Sequence, residues 1–363
     1  MDDQKNSLIT RELSVSYQTQ DGLLKAVDEV DLELKKGLIH AVVGESGCGK
    51  STLGLSLSKL GPKERVVYSG EVTLEGTNLL ALDDNEMQRY RGTRIATIFQ
   101  EPMTSLDPVY RIGEQIAEAL FVREKRGPGM FYENKPDIPR HRSLAQMFGV
   151  NRAVFLRSKR LYNQHSSEVR QLLEKVRISD PDRVAKMYPH ELSGGMRQRA
   201  VIAMALSQNP SFLVADEITT ALDVTTQARI LALIKELAKE TSMGVLMVTH
   251  DLGVVAAVAD SVSVMYAGKF VEQAQTSELY KNPLHPYTVG LMRSFPKGRK
   301  DKFELKAISG SVPPIWQYPS GCRFHPRCPS AFASCSESIP KLQEVSKGHL
   351  VACFLYGGGI PNA

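Results

Sequence analysis

Residues 44–52 read Gly-Glu-Ser-Gly-Cys-Gly-Lys-Ser-Thr and fit the pattern G-x-x-x-x-G-K-[ST], in which Lys50 and Ser51 are the last two defining positions. An apolar run at residues 38–43 precedes them and predicts a buried strand, while residues 52–60 predict a helix. Glycines allow successive backbone N–H groups to turn towards an anion, and the start of a helix adds the positive end of its dipole. The stretch therefore predicts a phosphate-binding loop between a strand and a helix.

In such a loop the Lys50 ammonium group reaches the β- and γ-phosphates, and the Ser51 hydroxyl holds Mg²⁺. Cys48 is expected to serve there only as a small side chain. The residues expected to surround the phosphates are Gly44, Ser46, Gly47, Cys48, Gly49, Lys50, Ser51 and Thr52.

Two runs of alternating apolar and polar residues, 8–17 and 24–34, come before the loop. The Asp-Gly pair at residues 21–22 lies between them and predicts a β-hairpin. Tyr17 stands just before this turn. Its ring either stacks on an adenine base or makes a cross-strand contact at the surface of the sheet.

A second apolar run, residues 212–215, ends in the carboxylates Asp216 and Glu217 and predicts a strand covered on both faces. Buried carboxylates are costly without a cation or hydrogen bonds. We therefore expect Asp216 to hold Mg²⁺ and Glu217 to polarise the attacking water. A third buried strand at residues 244–249 brings His250 to the same edge of the sheet, where a neutral imidazole contacts the γ-phosphate.

Residues 192–196 read Leu-Ser-Gly-Gly-Met and precede a helical pattern over residues 197–208. Ser193 fits a helix N-cap, and Gly194 and Gly195 expose N–H groups at the positive end of the helix. This predicts a second anion-binding surface, and hence a nucleotide held between two copies of the fold.

Two further motifs complete the set, since Gln100 lies in the run Ile-Phe-Gln-Glu-Pro at residues 98–102 and Asp223 ends the run Ala-Leu-Asp. In their order along the chain these motifs resemble those of the ATP-binding-cassette ATPases over about residues 8–275. The resemblance implies an α/β P-loop NTPase cassette, with a RecA-like core, an antiparallel β subdomain and a helical subdomain at about residues 92–210.

The resemblance also implies how the site works. Lys50, Gln100, Glu217 and His250 form its catalytic set, Gln100 also contacts Mg²⁺ and couples the γ-phosphate to a permease, and Asp223 belongs to the nucleotide-binding set. Two cassettes close head to tail around two ATP molecules, so that the Ser193–Gly195 segment of one subunit covers the ATP of the other.

Two positions depart from the commonest pattern of that family. Met196 replaces the usual Gln, a variant typical of dipeptide and oligopeptide importers, and Ile218 stands where Pro usually follows the catalytic Glu. Because Pro fixes φ, we expect its absence to loosen the turn while leaving catalysis intact.

Residues 276–363 resemble the C-terminal extension of peptide-importer ATPases, beginning with Asn-Pro-Leu-His-Pro-Tyr-Thr at 282–288. Four cysteines follow with the spacing C-x₅-C-x₆-C-x₁₇-C, and they are Cys322, Cys328, Cys335 and Cys353. The short pairs typical of zinc sites are absent, and Pro329 directly after Cys328 is similar to ferredoxin-type ligation. We expect a [4Fe–4S] cluster, with Zn²⁺ or free buried thiols as alternatives. The cluster acts either as a staple for a tail with little core or as a redox sensor.

Composition excludes several classes of protein. The chain has 363 residues and a net charge of +5, which is too small to indicate nucleic-acid binding. No apolar run approaches the ~18 residues of a membrane helix, and residues 1–5 do not begin a secretory signal. We expect a cassette that lies peripherally on the cytoplasmic face of a membrane.

The segment between Gln100 and the Leu-Ser-Gly-Gly-Met run is longer than a compact cassette requires, by about 30–40 residues. The excess falls at about residues 122–166, which carry ten basic residues against three acidic ones. The basic residues are Arg123, Lys125, Arg126, Lys135, Arg140, Arg142, Arg152, Arg157, Lys159 and Arg160. The insert is a solvated surface segment, a face for anionic lipid, or a nucleic-acid contact.

Together these features predict the ATP-hydrolysing subunit of an importer for dipeptides or oligopeptides. Its partners are a second, different cassette, two transmembrane permeases and an extracytoplasmic solute-binding protein. Oligosaccharides, nickel or antimicrobial peptides are alternative cargoes. A soluble cassette ATPase acting on ribosomes or DNA is disfavoured by the single phosphate-binding loop and the lack of sustained heptads. An electron-transfer protein does not account for the hydrolytic residues, and we expect no nucleic-acid partner.

Overall fold

The computed structural model describes residues 6–20, 22–62, 65–101, 105–125, 152–220, 222–294 and 308–356. The central part of the predicted basic insert, residues 126–151, lies outside them. The chain divides into two compact units. Met1–Met87, Ser211–Glu217 and Ile234–Ala363 form the first unit, and Gln88–Pro210 with Ile218–Leu233 form the second.

The strands and helices are numbered in chain order. The strands are β1 Ser7–Thr19, β2 Gly22–Lys35, β3 Ile39–Val43, β4 Val66–Leu74, β5 Thr77–Asn78, β6 Ile95–Ile98, β7 Phe212–Asp216, β8 Gly244–Thr249, β9 Ser261–Tyr266, β10 Lys269–Gln275, β11 Gln343–Ser346 and β12 His349–Val351. The helices are α1 Lys50–Ser56, α2 Asp84–Met87, α3 Ile112–Lys125, α4 Arg152–Lys175, α5 Pro181–Ala185, α6 Gly194–Leu206, α7 Val224–Thr241, α8 Leu252–Val258, α9 Thr276–Lys281, α10 Pro286–Ser294 and α11 Ala333–Glu337.

The first unit contains an antiparallel sheet in the order β2-β1-β4-β5. The predicted hairpin is confirmed, because β1 and β2 pair antiparallel and Tyr17 lies opposite Leu24. The second sheet of this unit runs β11-β12-β10-β9-β3-β8-β7. Its central strands are parallel, since β3 pairs with both β8 and β9, and β8 pairs with β7.

Strands β7 and β8 are buried along their whole length, as the uninterrupted apolar runs predicted. Parallel strands with both faces covered need such runs, because neither face meets water. The predicted boundaries of β3 and β7 are each within one residue of those observed. Strands β3, β7 and β8 end at one edge of the sheet, and the predicted phosphate-binding loop, Glu217 and His250 follow there.

The second unit is mainly helical. Helix α3 packs on α4, and Arg123 of α3 forms an ion pair with Glu168 of α4 at 2.9 Å. Helix α6 begins after Ser193, which confirms the predicted N-cap. In the part of the chain that the structure describes, no helix is long and apolar enough to cross a membrane.

The C-terminal extension is built into the first unit. Strand β12 pairs antiparallel with β10 and with β11, so the extension lengthens the main sheet. Tyr287 of α10 and Phe324 pack edge-on against Tyr266 of β9, with ring centroids 4.7 and 5.2 Å from that ring. All three side chains are buried. The expectation that this tail has little core is wrong for its described residues, because β9 and β10 supply the other half of the core.

A buried carboxylate fastens both ends of the extension. Glu272 of β10 is fully buried and accepts the backbone N–H groups of Leu284 and His285 at 2.8 Å each. It also accepts Nε2–H of His349 at 2.7 Å. A buried carboxylate is stable only when its oxygens are hydrogen-bonded in this way. Glu272 therefore holds the beginning and the end of the extension to one strand.

His285 makes the stability of this region depend on pH. Burial lowers the pKa of His285 to about 3, whereas a histidine in an unfolded chain titrates near 6.5. Below about pH 6.5 the unfolded chain therefore binds a proton that the folded chain does not, and stability falls as the pH falls towards 3. We expect this residue to lower the free energy of unfolding by about 1.4 kcal/mol for each pH unit below about 6.5.

The test is urea unfolding between pH 7.5 and 5 of the wild type and of His285→Asn. Asparagine retains an acceptor for the Tyr287 N–H, which bonds His285 Nδ1 at 3.0 Å, but it does not titrate. In the variant, the free energy of unfolding should depend less steeply on pH by this amount. An unchanged slope would contradict the prediction.

Candidate active site

The phosphate-binding loop is held closely by the backbone around it. A Cβ atom on Gly44 would lie 2.2 Å from the Met265 carbonyl oxygen, and one on Gly49 would lie 2.4 Å from that of Ala26. Gly49 also has a φ of +104° and directly precedes α1. Only glycine fits these two positions, because a side chain would collide with a carbonyl group.

Lys50 is buried and its ammonium group is bonded within the loop. Nζ donates to the carbonyl oxygens of Gly44 and Glu45 at 2.8 and 2.9 Å. The Nζ atom therefore lies inside the curve of the loop, where it can exchange a carbonyl partner for a phosphate oxygen.

A hydroxyl and a carboxylate meet beside the loop. Ser51 Oγ donates to Asp216 Oδ1 at 3.1 Å, and Asp216 is buried at the end of β7. Burial raises the pKa of Asp216, the Ser51 hydrogen bond opposes this rise, and the neighbouring Glu217 adds to it. Hydroxyl and carboxylate oxygens are the ligands that Mg²⁺ prefers, and a cation would compensate the buried charge. The pair therefore fits the predicted Mg²⁺ site.

Glu217 and His250 form a pair at the same edge of the sheet. His250 Nδ1 and Glu217 Oε1 are 2.9 Å apart, with side-chain exposures of 51 and 15 % respectively. Glu217 has a φ of +48°, and its N–H donates to Val248 of β8 at 2.9 Å. A reactant at this edge can therefore reach both side chains.

Tyr17 lies beside the loop helix. Its hydroxyl is 3.1 Å from Thr52 Oγ1, and the residue is only partly buried. The ring is thus close to the start of α1, where the predicted stacking on a base requires it.

The remaining predicted residues of the nucleotide site belong to the second unit. Ser193 Oγ accepts the Met196 N–H at 3.4 Å, and a Cβ on Gly195 would lie 2.6 Å from Thr226 Cγ2. Asp223 Oδ1 accepts the Thr226 N–H at 2.9 Å. Gln100 is exposed and follows β6. Gly195 at the start of α6 thus lies against the first turn of α7.

The four cysteines of the extension all lie in the first unit. The Cys322 N–H donates to the Cys335 carbonyl oxygen at 2.8 Å. Burial raises the pKa of the Cys353 thiol to about 11, and repulsion from Cys322, Cys328 and Cys335 adds to this rise. The four sulfur atoms are therefore near enough to one another to interact electrostatically.

The spacing of these sulfur atoms bears on what they can bind. Four thiolates around one Zn²⁺ lie about 3.8 Å apart, since Zn–S bonds are near 2.3 Å and tetrahedral. Among the described residues, the one group of three candidate ligand atoms within 4.8 Å of one another is formed by Glu124, His165 and Glu168, not by cysteines. Within the described residues, no three of the four sulfur atoms therefore lie within 4.8 Å of one another.

Sequence patterns did not predict the contacts that Glu45 of the phosphate-binding loop makes with Tyr287 and Arg327. The Glu45 carboxylate pairs with both terminal nitrogens of Arg327, at 2.8 and 3.1 Å, and the Glu45 N–H donates to Tyr287 Oη at 2.9 Å. Glu45 lies in the loop and Arg327 lies between two cysteines, but no spacing rule links residues so far apart.

The fold and the site now define the class of protein. A glycine loop with a buried lysine, a hydroxyl–carboxylate pair and a Glu–His pair meet at the carboxyl edge of a parallel sheet. This is the arrangement of a P-loop ATPase, with ATP as substrate and Mg²⁺ as cofactor.

The chain belongs to the ABC transporter family, because the family described as "ABC transporter" matches its residues 27–220. Residues 271–335 match the region described as "Oligopeptide/dipeptide transporter, C-terminal region". The predicted cassette fold and the predicted relationship to the ATP-binding subunits of peptide importers are thereby confirmed.

Individual relatives agree with this assignment. The chain is 43% identical over 349 residues to the "Probable peptide ABC transporter ATP-binding protein y4tR" of Sinorhizobium fredii, covering 96% of this chain and 94% of that protein. It is 44% identical over 339 residues to the "Oligopeptide transport ATP-binding protein AppD" of Bacillus subtilis, covering 92% of each. Among solved structures, the dimeric bacterial ABC transporter cassette MJ0796 is 25% identical with a TM-score of 0.55, covering 74% of this chain and 98% of that one.

Proposed function

We propose that this chain is the ATP-hydrolysing subunit of an importer for dipeptides or oligopeptides. The observation that carries the proposal is the fastening of the C-terminal region to the nucleotide-binding sheet through Glu272. That region matches an oligopeptide/dipeptide transporter family, and relatives that span nearly the whole chain are named for peptide transport. The cassette lies on the cytoplasmic face of the membrane and contacts its transmembrane partners there.

The proposed complex has four further components. A second, different cassette closes against this one around two ATP molecules, and two permeases form the path for the peptide. An extracytoplasmic solute-binding protein delivers the cargo. In the closed pair, Ser193 and Gly195 of one cassette contact the ATP held by the other, and Asp223 borders the same nucleotide. Gln100 couples the γ-phosphate site to the contact with the permease.

Each residue of the hydrolytic site has its own role. Lys50 Nζ moves from the Gly44 and Glu45 carbonyls to the β- and γ-phosphates, and Ser51 and Asp216 hold Mg²⁺. Bound Mg²⁺ supplies positive charge to the phosphate oxygens. Glu217 accepts a proton from the attacking water, while His250 holds that carboxylate and contacts the γ-phosphate. Tyr17 stacks on the adenine.

The cysteines of the extension hold a [4Fe–4S] cluster in this proposal, with Cys322, Cys328, Cys335 and Cys353 as ligands. The wide C-x₅-C and C-x₆-C spacings and the proline that directly follows Cys328 support it over Zn²⁺. Since the extension shares a buried core with β9 and β10, the cluster adds to a folded region rather than replacing a missing core.

The importer assignment is tested by identifying the proteins that co-purify with this chain from detergent-solubilised native membranes. We expect two polytopic permeases, a second cassette and a solute-binding protein whose bound ligand is a peptide. A sugar or a metal in that binding protein would contradict the assigned cargo. Ribosomal proteins or nucleic acid without a permease would contradict transport altogether.

The role of Glu217 is tested with Glu217→Gln, which keeps the shape and a hydrogen-bond acceptor for His250 but removes the base. We expect phosphate release to fall at least ~10²-fold, the usual share of a general base, while binding of a fluorescent ATP analogue with Mg²⁺ is unchanged. Glu240→Gln is the matched control, because Glu240 is exposed and precedes the opposite edge of β8. Turnover above a tenth of wild type in Glu217→Gln would mean that another group is the base.

The cluster is tested by measuring iron, acid-labile sulfide and zinc in chain purified without oxygen. We expect four irons and four sulfides per chain, lost in Cys335→Ser and retained in Cys48→Ser, because Cys48 lies in the phosphate-binding loop. One zinc per chain without labile sulfide would establish the alternative and contradict the cluster.

A further inference from the structure

Glu45 is the second residue of the phosphate-binding loop. Its backbone N–H, its backbone carbonyl oxygen and its carboxylate all form hydrogen bonds. Its carbonyl oxygen accepts from Lys50 Nζ at 2.9 Å, inside the curve of the loop. Its N–H donates to Tyr287 Oη at 2.9 Å, and its carboxylate receives both terminal nitrogens of Arg327. The extension therefore holds the peptide group between Gly44 and Glu45, whose carbonyl oxygen also accepts from Lys50 Nζ.

Arg327 is itself fixed in place. Its Nε donates to the Ser309 carbonyl oxygen at 2.8 Å, and Nη2 donates to that of Gly310 at 3.1 Å. Nη1 lies 3.3 Å from Tyr266 Oη, and the Arg327 side chain is only 7 % exposed. A guanidinium group held on three sides presents a rigid fork to the Glu45 carboxylate, and such bidentate pairs fix orientation as well as charge.

The charge of Glu45 also matters for a polyphosphate ligand. Its carboxylate is part of the loop that receives ATP, and like charges there repel. Arg327 neutralises this carboxylate, which is only 31 % exposed and so is incompletely screened by water. Without the arginine, ATP would meet an uncompensated negative charge beside its phosphates.

We propose that Arg327 is a positioning residue for nucleotide binding. It holds the phosphate-binding loop through Glu45 and cancels the charge of that residue, so the conformation of the cysteine loop, residues 321–329, sets the affinity for ATP. Arg327 directly precedes Cys328, so a movement of this cysteine moves the arginine. The proposal rests on the ATPase site and does not depend on which group the cysteines hold.

The experiment compares Arg327→Gln with Arg323→Gln in the full chain. Arg323 is a matched control, because it belongs to the same loop and is 13 % exposed, but it pairs with Asp28 rather than with the phosphate-binding loop. For Arg327→Gln we expect Kd and KM for ATP to rise about tenfold, with kcat at saturating ATP within about twofold of wild type. For Arg323→Gln we expect Kd to stay within about twofold.

A double-mutant cycle separates a contact with Glu45 from a general loosening of the loop. In a Glu45→Gln background, Arg327→Gln should add less than about twofold to Kd, since the carboxylate that it bonded is gone. Arg323→Gln should have the same effect in both backgrounds. Arg327→Lys, which keeps the charge without the fork, should recover part of the lost affinity.

Three results would overturn the proposal. The first is a Kd in Arg327→Gln no higher than in Arg323→Gln, and the second is additivity with Glu45→Gln. The third is loss of iron from both arginine variants together with equally weak ATP binding, since the effect would then belong to a metal group. Metal content and the free energy of unfolding are therefore measured for each variant.

Discussion

Parallel pairing of β3, β8 and β7 is the constraint from which the nucleotide site of the first unit follows. Val43 pairs with Thr249 and Asp216 pairs with Val248, so the loop after β3, the carboxylates after β7 and His250 after β8 share one edge. Side chains alternate between faces along a strand, and a slip of one residue would turn Asp216 away from Ser51. The parallel ladder that joins Phe212–Asp216 to Gly244–Val248 fixes this register. The chemistry at the edge thus depends on residues that take no part in it.

The C-terminal extension belongs to the same structural unit as this sheet. It adds β12 beside β10, packs Tyr287 and Phe324 on Tyr266, and is fastened at both ends by Glu272. Because each of these contacts is buried, the extension and the strands that lead to the loop are expected to unfold together. The region that contains the four cysteines is thus also part of the scaffold of the nucleotide site.

Local patterns predicted the parts of the structure that depend on neighbouring residues. Apolar runs placed β3 and β7 to within a residue, and the serine before two glycines marked the start of α6. The pairing of Glu272 with His349 and of Glu45 with Arg327 was not predictable, because residues 77 and 282 positions apart are brought together only by the whole fold. The core of the extension was missed for the same reason. Its short elements show little periodicity, and their apolar partners lie on strands of the main sheet.

The backbone of Glu217 shows how the fold supports the proposed base. A φ of +48° is unusual for a residue with a side chain, and holding it costs on the order of 1–2 kcal/mol. Such a conformation persists only where the surroundings fix it, and β8 does so twice, through the Val248 carbonyl oxygen and through His250 after its end. Ile218, which stands where the family usually has proline, is buried and so anchors the turn by packing. This packing opposes the loosening expected from the absence of proline, and Glu217 keeps its bonds to Val248 and His250.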